Sequence, residues 1–207
     1  MAIIGAGPCG LAACKTLSDY GIDYECLEAS EGIGGIWDVE RKAGGGYRSL
    51  QTNTSKPGMQ FTDFPFEHGA PIYPNADQML DYFKRYADEF DLLHSIKLKS
   101  AVANAQVQAD GSWRLTLKNG EQKHYRGVIV ASGQYVKPRS PHDDIAGHFS
   151  GHHLHVYEYL DASTPIDMRN KRVLVVGLGS SAAELAADLC NEESSAGCAE
   201  QVILSAR

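Results

Sequence analysis

The chain has 207 residues, 43% of them hydrophobic, and this length suggests one domain or two small ones. Its 26 acidic residues outnumber its 19 Lys and Arg residues, and the net charge of −7 argues against nucleic acid or anionic lipid as a partner. No apolar run approaches the ~18–20 residues needed to span a bilayer, and no signal peptide opens the chain. The five cysteines are an odd number and too sparse for a disulfide scaffold, which favours a reducing, cytoplasmic location.

The first 28 residues predict a strand, a glycine turn, a helix and a second strand. In the pattern Gly5-x-Gly7-x-x-Gly10, the first glycine suits a tight turn and the second admits a phosphate close to the backbone. The third lets the helix pack on the strand. Glu28 ends the second strand, where a carboxylate can accept hydrogen bonds from a ribose. This context favours a dinucleotide site over a glycine turn without a ligand.

Two cysteines of the same turn and helix, Cys9 and Cys14, have a CxxxxC spacing that also permits a redox disulfide. Their position inside the glycine turn and its helix favours small packing residues instead.

A helix is predicted after a loop region rich in Gly and Pro that extends to residue 74. Asn75 can cap this helix, and Gln78 completes a capping-box pattern three residues later. The apolar face of the helix consists of Met79, Leu80, Phe83, Tyr86, Ala87 and Phe90.

An antiparallel meander of three strands is predicted from about Lys97 to Val130. The hydrophobic period there approaches two and is broken at the hairpin turns Asp110-Gly111 and Asn119-Gly120. The last strand ends in the apolar run 127–131, which is typical of a strand buried on both faces of a parallel sheet. The meander is therefore expected to return to the main sheet.

A second copy of the glycine device follows a linker, 137–170, that is rich in Pro, Asp and His. The strand beginning at Arg172 leads into Gly177-x-Gly179-x-x-Ala182, with Ala in the third position, and then into a helix and a strand. Arg207, and not an acid, follows that strand. An arginine can neutralise a 2′-phosphate, which points to NADPH over NADH, although a solvated terminal arginine is the alternative.

The linker also contains a cluster of histidines that could form a metal site. No carboxylate or cysteine accompanies these histidines at a regular ligand spacing. We therefore expect no metal at the cluster, which consists of His142, His148, His152, His153 and His155.

In their order along the chain these motifs resemble the flavin-containing monooxygenases. The resemblance rests on the GAGPxG turn, Glu28, Gly34-Gly35-Ile36-Trp37, Thr52-Asn53-Thr54-Ser55-Lys56, Asp63-Phe64-Pro65, Phe149-x-Gly151-x-x-x-His155-x-x-x-Tyr159 and Gly177-x-Gly179-x-Ser181. The related Baeyer–Villiger enzymes usually end the FxGxxxHxxx pattern in Trp, so Tyr159 favours the first family.

The resemblance implies an α/β fold in which a Rossmann-type three-layer FAD-binding domain with an antiparallel β-meander spans residues 1–164 and is incomplete. The beginning of a second Rossmann domain, for NADPH, would occupy residues 165–207. The chain would then be the N-terminal portion of a longer protein.

The resemblance also implies roles for individual residues. The FAD pyrophosphate would be wrapped by Gly5, Ala6, Gly7, Pro8, Cys9 and Gly10, its ribose would meet Glu28, and its flavin side would meet Ile36 and Trp37. Thr52 and Asn53 would lie between flavin and nicotinamide, with Asn53 as the active-site amide. NADPH would be held by Gly177, Gly179, residues 181–184, which include Ser181 and Ala182, and Arg207. His155 would couple the two nucleotide domains and take no part in bond making.

Two of these residues also have a plainer interpretation. Trp37 could be a core aromatic side chain, and Asn53 could be a turn residue.

The activity implied is an FAD- and NADPH-dependent monooxygenase that uses O2 to oxygenate soft nitrogen or sulfur atoms of small molecules through a C4a-hydroperoxyflavin. A homodimer is possible. The alternatives are a Baeyer–Villiger monooxygenase acting on ketones and a truncated, catalytically incomplete nucleotide-binding fragment. The last is motivated by an NADPH unit that stops after one strand, helix and strand.

Overall fold

The computed structural model of the protein describes residues 1–41, 45–134, 137–139 and 147–206. The chain divides into two units, the first formed by Met1–Ala43 and Thr52–Gln134 and the second by Gly44–Gln51 and Tyr135–Arg207. The short segment 44–51 thus belongs to the second unit, although it lies within the sequence of the first. No local sequence pattern predicts this. The domain boundary predicted after residue 164 stays a prediction.

Among the described residues, the first unit contains three of the four α-helices and two sheets. In chain order its elements are β1 (Ala2–Ile4), α1 (Pro8–Asp19), β2 (Glu25–Leu27), α2 (Lys56–Met59), α3 (Ala76–Glu89), β3 (Ile96–Lys97), β4 (Val102–Val107), β5 (Trp113–Leu117), β6 (Gln122–Tyr125) and β7 (Val128–Val130). The order β3-β2-β1-β7 gives a parallel sheet, and β4-β5-β6 form the antiparallel meander.

Local sequence signals explain where several of these elements begin and turn. The Asn75 side chain accepts a hydrogen bond from the Gln78 N–H, and the Gln78 side chain accepts one from the Asn75 N–H, so the predicted capping box is confirmed. Gly111 and Gly120 have positive φ angles of 81° and 89° in the two predicted hairpin turns.

The first unit has three layers because residues of the parallel sheet alternate between its two faces. Ala2 and Leu27 pack against Leu115 and Leu117 of the meander. The opposite face, on which Ile3 is fully buried, carries α1. The α/β fold with a three-layer first unit is therefore confirmed.

The predicted third strand of the meander is two strands. β6 pairs antiparallel with β5, whereas β7 pairs parallel with β1, so the chain does return to the main sheet. The expectation that residues 127–131 are buried on both faces is wrong. β7 is at an edge of the described sheet, and Val130 is 71% exposed because no described element covers it.

The second unit contains β8 (Arg172–Val176), α4 (Ser180–Leu189) and β9 (Gln201–Ser205). The two strands pair in parallel over five residues, and α4 packs against both of them. Its core consists of Tyr47, Tyr159, Ala162, Val175 and Leu189. In the described part of the chain, no helix has both the length and the apolar character needed to cross a bilayer.

One partly buried ionic contact joins two layers of the first unit. Glu25 of β2 accepts hydrogen bonds from Lys123 Nζ, at 2.9 Å to each carboxylate oxygen, and from the Tyr125 hydroxyl of β6. Partial burial opposes ionisation, but the hydrogen bonds from Tyr125 and Lys123 hold the pKa of Glu25 below its ordinary value of 4.5.

Glu25→Gln is expected to lower the free energy of unfolding at neutral pH by about 1 kcal/mol, because Lys123 and Tyr125 lose a charged acceptor. Since the folded-state pKa lies below the unfolded one, this stabilisation is present above about pH 4.5 and is lost as the pH falls through the folded pKa. Urea unfolding of both proteins from neutral pH to about pH 3 should therefore show their stabilities converging in acid.

A matched control is Glu31→Gln. The Glu31–Lys99 ion pair joins two side chains that are each 69% exposed, so this change should alter stability little at any pH. Equal losses in the two variants, or a constant gap down to acid pH, would contradict the role given to Glu25.

Candidate functional site

The first glycine turn is fixed by contacts between backbone atoms. Gly5 has a φ of 101°, and a Cβ atom there would lie 2.5 Å from the Ala131 carbonyl oxygen. A Cβ atom at Gly10 would lie only 1.9 Å from the Gly5 carbonyl oxygen. Glycine at position 10 is therefore needed for α1 to approach the end of β1 this closely, and glycine at position 5 for Ala131, which follows β7, to pack on the turn.

Gly7 differs from its two neighbours in the turn. It has an extended conformation, with φ −75° and ψ −173°, and a Cβ atom there would meet Gly35 Cα at an ordinary 3.6 Å. The fold itself thus leaves room for a side chain at Gly7. A ligand that approaches the backbone closely, such as a pyrophosphate, is a physical reason for glycine at this position.

The N-terminus of α1 is open to such an anion. Gly7 is the N-cap residue, makes no side-chain cap, and is followed by Pro8 in the first turn. The first N–H groups of a helix lack intrahelical acceptors and carry a partial positive charge, so they favour a negatively charged ligand. Cys9 in the same turn is exposed, whereas Ala6 is buried, and Cys9 and Cys14 are free thiols.

Glu28 stabilises the glycine turn directly. Its carboxylate is buried and accepts hydrogen bonds from the Ala6 N–H at 2.6 Å and from the Ser30 N–H at 2.8 Å. Sequence reasoning singled out Glu28 but gave no sign of these two partners. Each carboxylate oxygen keeps a second lone pair, so contact with a ribose hydroxyl remains compatible with this geometry and stays a prediction.

The Gly34–Trp37 segment packs on the same turn. The Gly34 N–H donates to the Ala6 carbonyl at 3.0 Å, and Gly35 lies against Gly7. Trp37 is buried, as its interpretation as a core aromatic expects, while Ile36 is 46% exposed. Ile36 therefore presents an apolar surface beside the glycine turn.

Thr52 has a buried hydroxyl that no described residue pairs with. The residue is 5% exposed, and its hydroxyl oxygen makes no hydrogen bond to any part of the chain that the structure describes. Leaving a buried hydroxyl unpaired costs about 1–3 kcal/mol, so a ligand atom at this position would restore the loss. Asn53 is exposed, and its Oδ1 accepts a hydrogen bond from the Thr54 hydroxyl at 3.4 Å.

The second glycine turn is looser than the first. Gly177 has a φ of 130°, and its N–H donates to the Ser205 carbonyl at 2.8 Å. A Cβ atom at Gly177 would lie 3.8 Å from the Ala182 Cβ, an ordinary contact, which explains why alanine fits the third position here. Gly179 is the uncapped N-cap residue of α4, and Ser181 is exposed. Arg207 lies outside the described residues.

Helix α4 also holds two carboxylates that accept hydrogen bonds from tyrosines. The Tyr47 hydroxyl donates to Glu184, and the Tyr159 hydroxyl donates to Asp188. Sequence reasoning missed Tyr47. The only signal in the sequence was for Tyr159, which ends the FxGxxxHxxxY pattern.

The residues of that pattern have separate structural roles. A Cβ atom at Gly151 would lie 2.4 Å from the Phe149 ring, so the ring packs directly on the glycine. His155 Nδ1 accepts a hydrogen bond from the Tyr157 N–H at 3.0 Å and caps the short 3-10 turn Val156–Glu158. Tyr159 follows this turn with its side chain 1% exposed.

The described histidines of the linker do not gather metal-ligating groups. Among residues 1–41, 45–134, 137–139 and 147–206 there is no group of three or more His, Cys, Asp or Glu side chains that could hold a metal ion. His142 is one of the residues that the structure does not describe.

These features define a class of protein, an α/β protein with two Rossmann-type glycine turns. The sequence model of the family described as flavin-binding monooxygenase-like matches residues 1–207. The chain therefore belongs to this family.

Curated relatives agree with the family assignment. The chain is 34% identical to flavin-containing monooxygenase 5 of Rattus norvegicus over 100% of its own length and 40% of that protein. It is 35% identical to dimethylaniline monooxygenase [N-oxide-forming] 2 of Mus musculus over 99% of its length and 39% of that protein. The chain thus spans about 40% of the length of these relatives.

Solved structures share the fold. S-allyl-L-cysteine S-oxygenase from Allium sativum superposes with a TM-score of 0.82 at 23% identity, over 100% of this chain and 50% of that one. A complex named OTEMO with FAD and NADP gives a TM-score of 0.76 at 24% identity, over 98% and 38% of the two chains. A cyclohexanone monooxygenase variant from Rhodococcus bound to NADP+ gives 0.75 at 23% identity, over 100% and 38%.

The different packing of the two turns leads to a test by reciprocal substitutions. Gly10→Ala is expected to destabilise the protein by about 3 kcal/mol or more, because the new Cβ meets backbone that cannot move without disturbing β1. Ala182→Gly should cost only about 0.5–1 kcal/mol, the difference in helix propensity. Thermal and urea unfolding followed by circular dichroism compares the two, and equal losses would refute the close approach at Gly10.

Proposed function

We propose that the protein is an FAD- and NADPH-dependent monooxygenase that uses O2 to oxygenate soft nitrogen or sulfur atoms of small molecules. The observation that carries the proposal is the first glycine turn, where the fold requires glycine at Gly5 and Gly10 but leaves room for a side chain at Gly7. Relatives named as N-oxide-forming and S-oxygenase support the choice of nitrogen and sulfur.

The residues of the first unit fit FAD. The uncapped turn, Gly5, Ala6, Gly7, Pro8, Cys9 and Gly10, would hold the pyrophosphate through backbone N–H groups. Glu28 would accept from the ribose while it keeps Ala6 in place, and Ile36 and Trp37 would lie toward the flavin. The buried Thr52 hydroxyl would gain the partner that it lacks among the described residues. FAD, when bound, would supply the oxygen-activating chemistry and NADPH the reducing equivalents.

The second glycine turn would hold NADPH. Gly177 makes the turn, Gly179 leaves the N-terminus of α4 uncapped, and Ser181 and Ala182 lie in its first turn. The extended Gly179 admits a phosphate close to the backbone, as Gly7 would in the first unit. Selection of NADPH over NADH by Arg207 stays part of this proposal.

Asn53 would be the amide that contacts the reacting atoms. The Thr54 hydroxyl donates to Asn53 Oδ1, so the NH2 group of the amide would be the donor toward the reacting atoms. A donor fixed before the reaction stabilises developing negative charge without reorganisation. Asn53 would therefore hold a reacting oxygen atom and would not itself exchange a proton.

The domain limits belong to the same proposal. Residues 1–164 would be the first segment of the FAD-binding domain, and residues 165–207 the beginning of the NADPH-binding domain. The complete protein would act in the cytoplasm, and a homodimer would be compatible with this assignment.

A Baeyer–Villiger enzyme that oxygenates ketones is the second candidate. The fold shared with a protein named cyclohexanone monooxygenase favours it. Tyr159, at a position where that class usually has Trp, favours nitrogen and sulfur oxygenation instead.

Gly7→Ala and Gly179→Ala form a matched pair that separates folding from binding. Both residues are N-caps in an extended conformation that alanine adopts freely, and neither Cβ would clash with the protein. Both variants should fold with stability within about 1 kcal/mol of wild type, because the substitution strains neither backbone. Gly7→Ala should weaken FAD binding about tenfold or more, because the new methyl group occupies the space of a phosphate. For the same reason Gly179→Ala should weaken NADP+ binding by a similar factor and leave FAD binding unchanged.

The measurements are flavin content after purification, FAD affinity of the apoprotein, and NADP+ affinity by titration calorimetry. Normal FAD binding by Gly7→Ala would remove the first turn from the cofactor site, and normal NADP+ binding by Gly179→Ala would remove the second.

Asn53→Ala tests the proposed reaction. In the complete protein it should retain FAD but lower kcat for a tertiary amine or thioether roughly 10²–10³-fold, the usual effect of losing one fixed donor. The measurement compares oxygenated product formed with NADPH consumed. Ser55→Ala is the control, because Ser55 makes no side-chain cap on α2. An unchanged ratio and kcat would remove Asn53 from its role, and product from a cyclic ketone alone would establish the second candidate.

A further inference from the structure

Two carboxylates lie on one face of α4, a turn apart. Glu184 and Asp188 are four residues apart, the spacing that places side chains on the same side of a helix. Each accepts a hydrogen bond from a buried tyrosine, Tyr47 for Glu184 and Tyr159 for Asp188. The two pairs have the same chemistry and differ in their distance from the glycine turn.

The tyrosines are held firmly by the core of the second unit. Tyr47 is 5% exposed and its ring centroid lies 6.2 Å from that of Tyr159. The flanking Gly45 and Arg48 N–H groups donate to the Tyr157 and Leu160 carbonyls at 3.1 and 2.9 Å. The position of the Tyr47 hydroxyl is thus set by the backbone on both sides of it.

Both hydroxyls remain donors at any physiological pH. Burial, followed by the hydrogen bond to the adjacent carboxylate, raises the pKa of Tyr47 and of Tyr159 well above the usual tyrosine range. Each tyrosine therefore keeps its proton and offers it to the carboxylate of α4.

Glu184 carries its negative charge close to the end of α4 that would bind phosphates. It is the fifth residue of the helix, which places it roughly 6 Å along the axis from the first residue, Ser180. This distance is shorter than the Debye length of about 8 Å at physiological ionic strength, so salt screens the repulsion only in part. A Glu184 side chain free to extend toward the N-terminus would disfavour an anionic ligand there.

We propose that Tyr47 is a positioning residue that holds the Glu184 carboxylate on the buried side of α4, away from the nucleotide phosphates at the second glycine turn. The inference rests on the proposed NADPH site. The family resemblance of the sequence implies that Glu184 helps to hold NADPH, and the present inference gives this residue a different role. The acid is instead kept in place by a hydroxyl from segment 44–51, so that it does not repel the cofactor.

The Tyr159–Asp188 pair provides an internal comparison. Asp188 lies one turn further along α4, about 6 Å more distant from the N-terminus. Loss of either hydroxyl removes one buried hydrogen bond of the same kind. Only the loss at Tyr47 releases a charge near the phosphates.

The experiment measures NADP+ affinity of the complete, flavin-loaded protein by titration calorimetry at low and high salt. Tyr47→Phe should weaken NADP+ binding roughly five- to tenfold at low salt, the size expected for a unit charge approaching a phosphate group. Most of this effect should vanish at about 0.5 M salt. The double variant Tyr47→Phe/Glu184→Gln should bind NADP+ as wild type does. It still lacks the Tyr47 hydroxyl, but residue 184 no longer carries a negative charge.

Tyr159→Phe is the matched control and should leave NADP+ affinity within about twofold of wild type, because Asp188 is too distant to repel the phosphates strongly. If Tyr47→Phe does not fold, Glu184→Asp tests the same point: it retains the packed ring but shortens the acid so that it no longer reaches the hydroxyl. Glu184→Asp should then weaken NADP+ binding in the same salt-dependent way.

The outcomes separate the inference from the function on which it rests. Wild-type protein that binds no NADP+ would overturn the proposed NADPH site itself. NADP+ binding by wild type with no loss in Tyr47→Phe or Glu184→Asp would overturn the role of Tyr47 alone. A loss that Glu184→Gln does not restore, or that salt does not diminish, would mean that the hydroxyl only stabilises the fold, and would also overturn it.

Discussion

The close approach of Gly10 to the Gly5 carbonyl is the constraint on which the first unit depends. At a Cβ-to-oxygen distance of 1.9 Å no side chain is possible, so α1 begins directly beside the end of β1. The Ala6 N–H is then held by Glu28, and the Ala6 carbonyl accepts from Gly34. Because backbone atoms and one buried carboxylate fix the turn, the first N–H groups of α1 need no side-chain cap and remain available to an anion.

The second unit uses another solution for the same motif. Its third small residue, Ala182, keeps an ordinary contact distance from Gly177, so backbone contact alone holds α4 less tightly. Side chains on α4 compensate, since the hydroxyls of Tyr47 and Tyr159 reach it from outside the strand–turn–helix segment. A short sequence motif thus specifies a turn in both units, while the way in which its helix is secured differs between them.

Sequence patterns predicted the features whose causes are local. The Asn75 capping box and the two hairpin turns depend on residues at most a few positions apart, and glycines with a required conformation are visible directly. The Tyr47–Glu184 hydrogen bond spans 137 positions and has no local signature. The exposure of Val130 depends on what lies beside β7, and the unpaired hydroxyl of Thr52 depends on its burial, neither of which a hydrophobic pattern specifies.

The FxGxxxHxxxY pattern shows that the residues of a family signature can have structural roles and take no part in the reaction. The packing of Phe149 on Gly151 and the cap supplied by His155 shape the chain that delivers Tyr159 to Asp188. A tryptophan also has one donor, but its indole N–H extends from a larger ring and would demand a different spacing from the helix. The last residue of the pattern therefore has to match the position of α4. Such a residue can distinguish two families of enzymes without touching a substrate, because its hydroxyl makes a structural contact with Asp188 of α4.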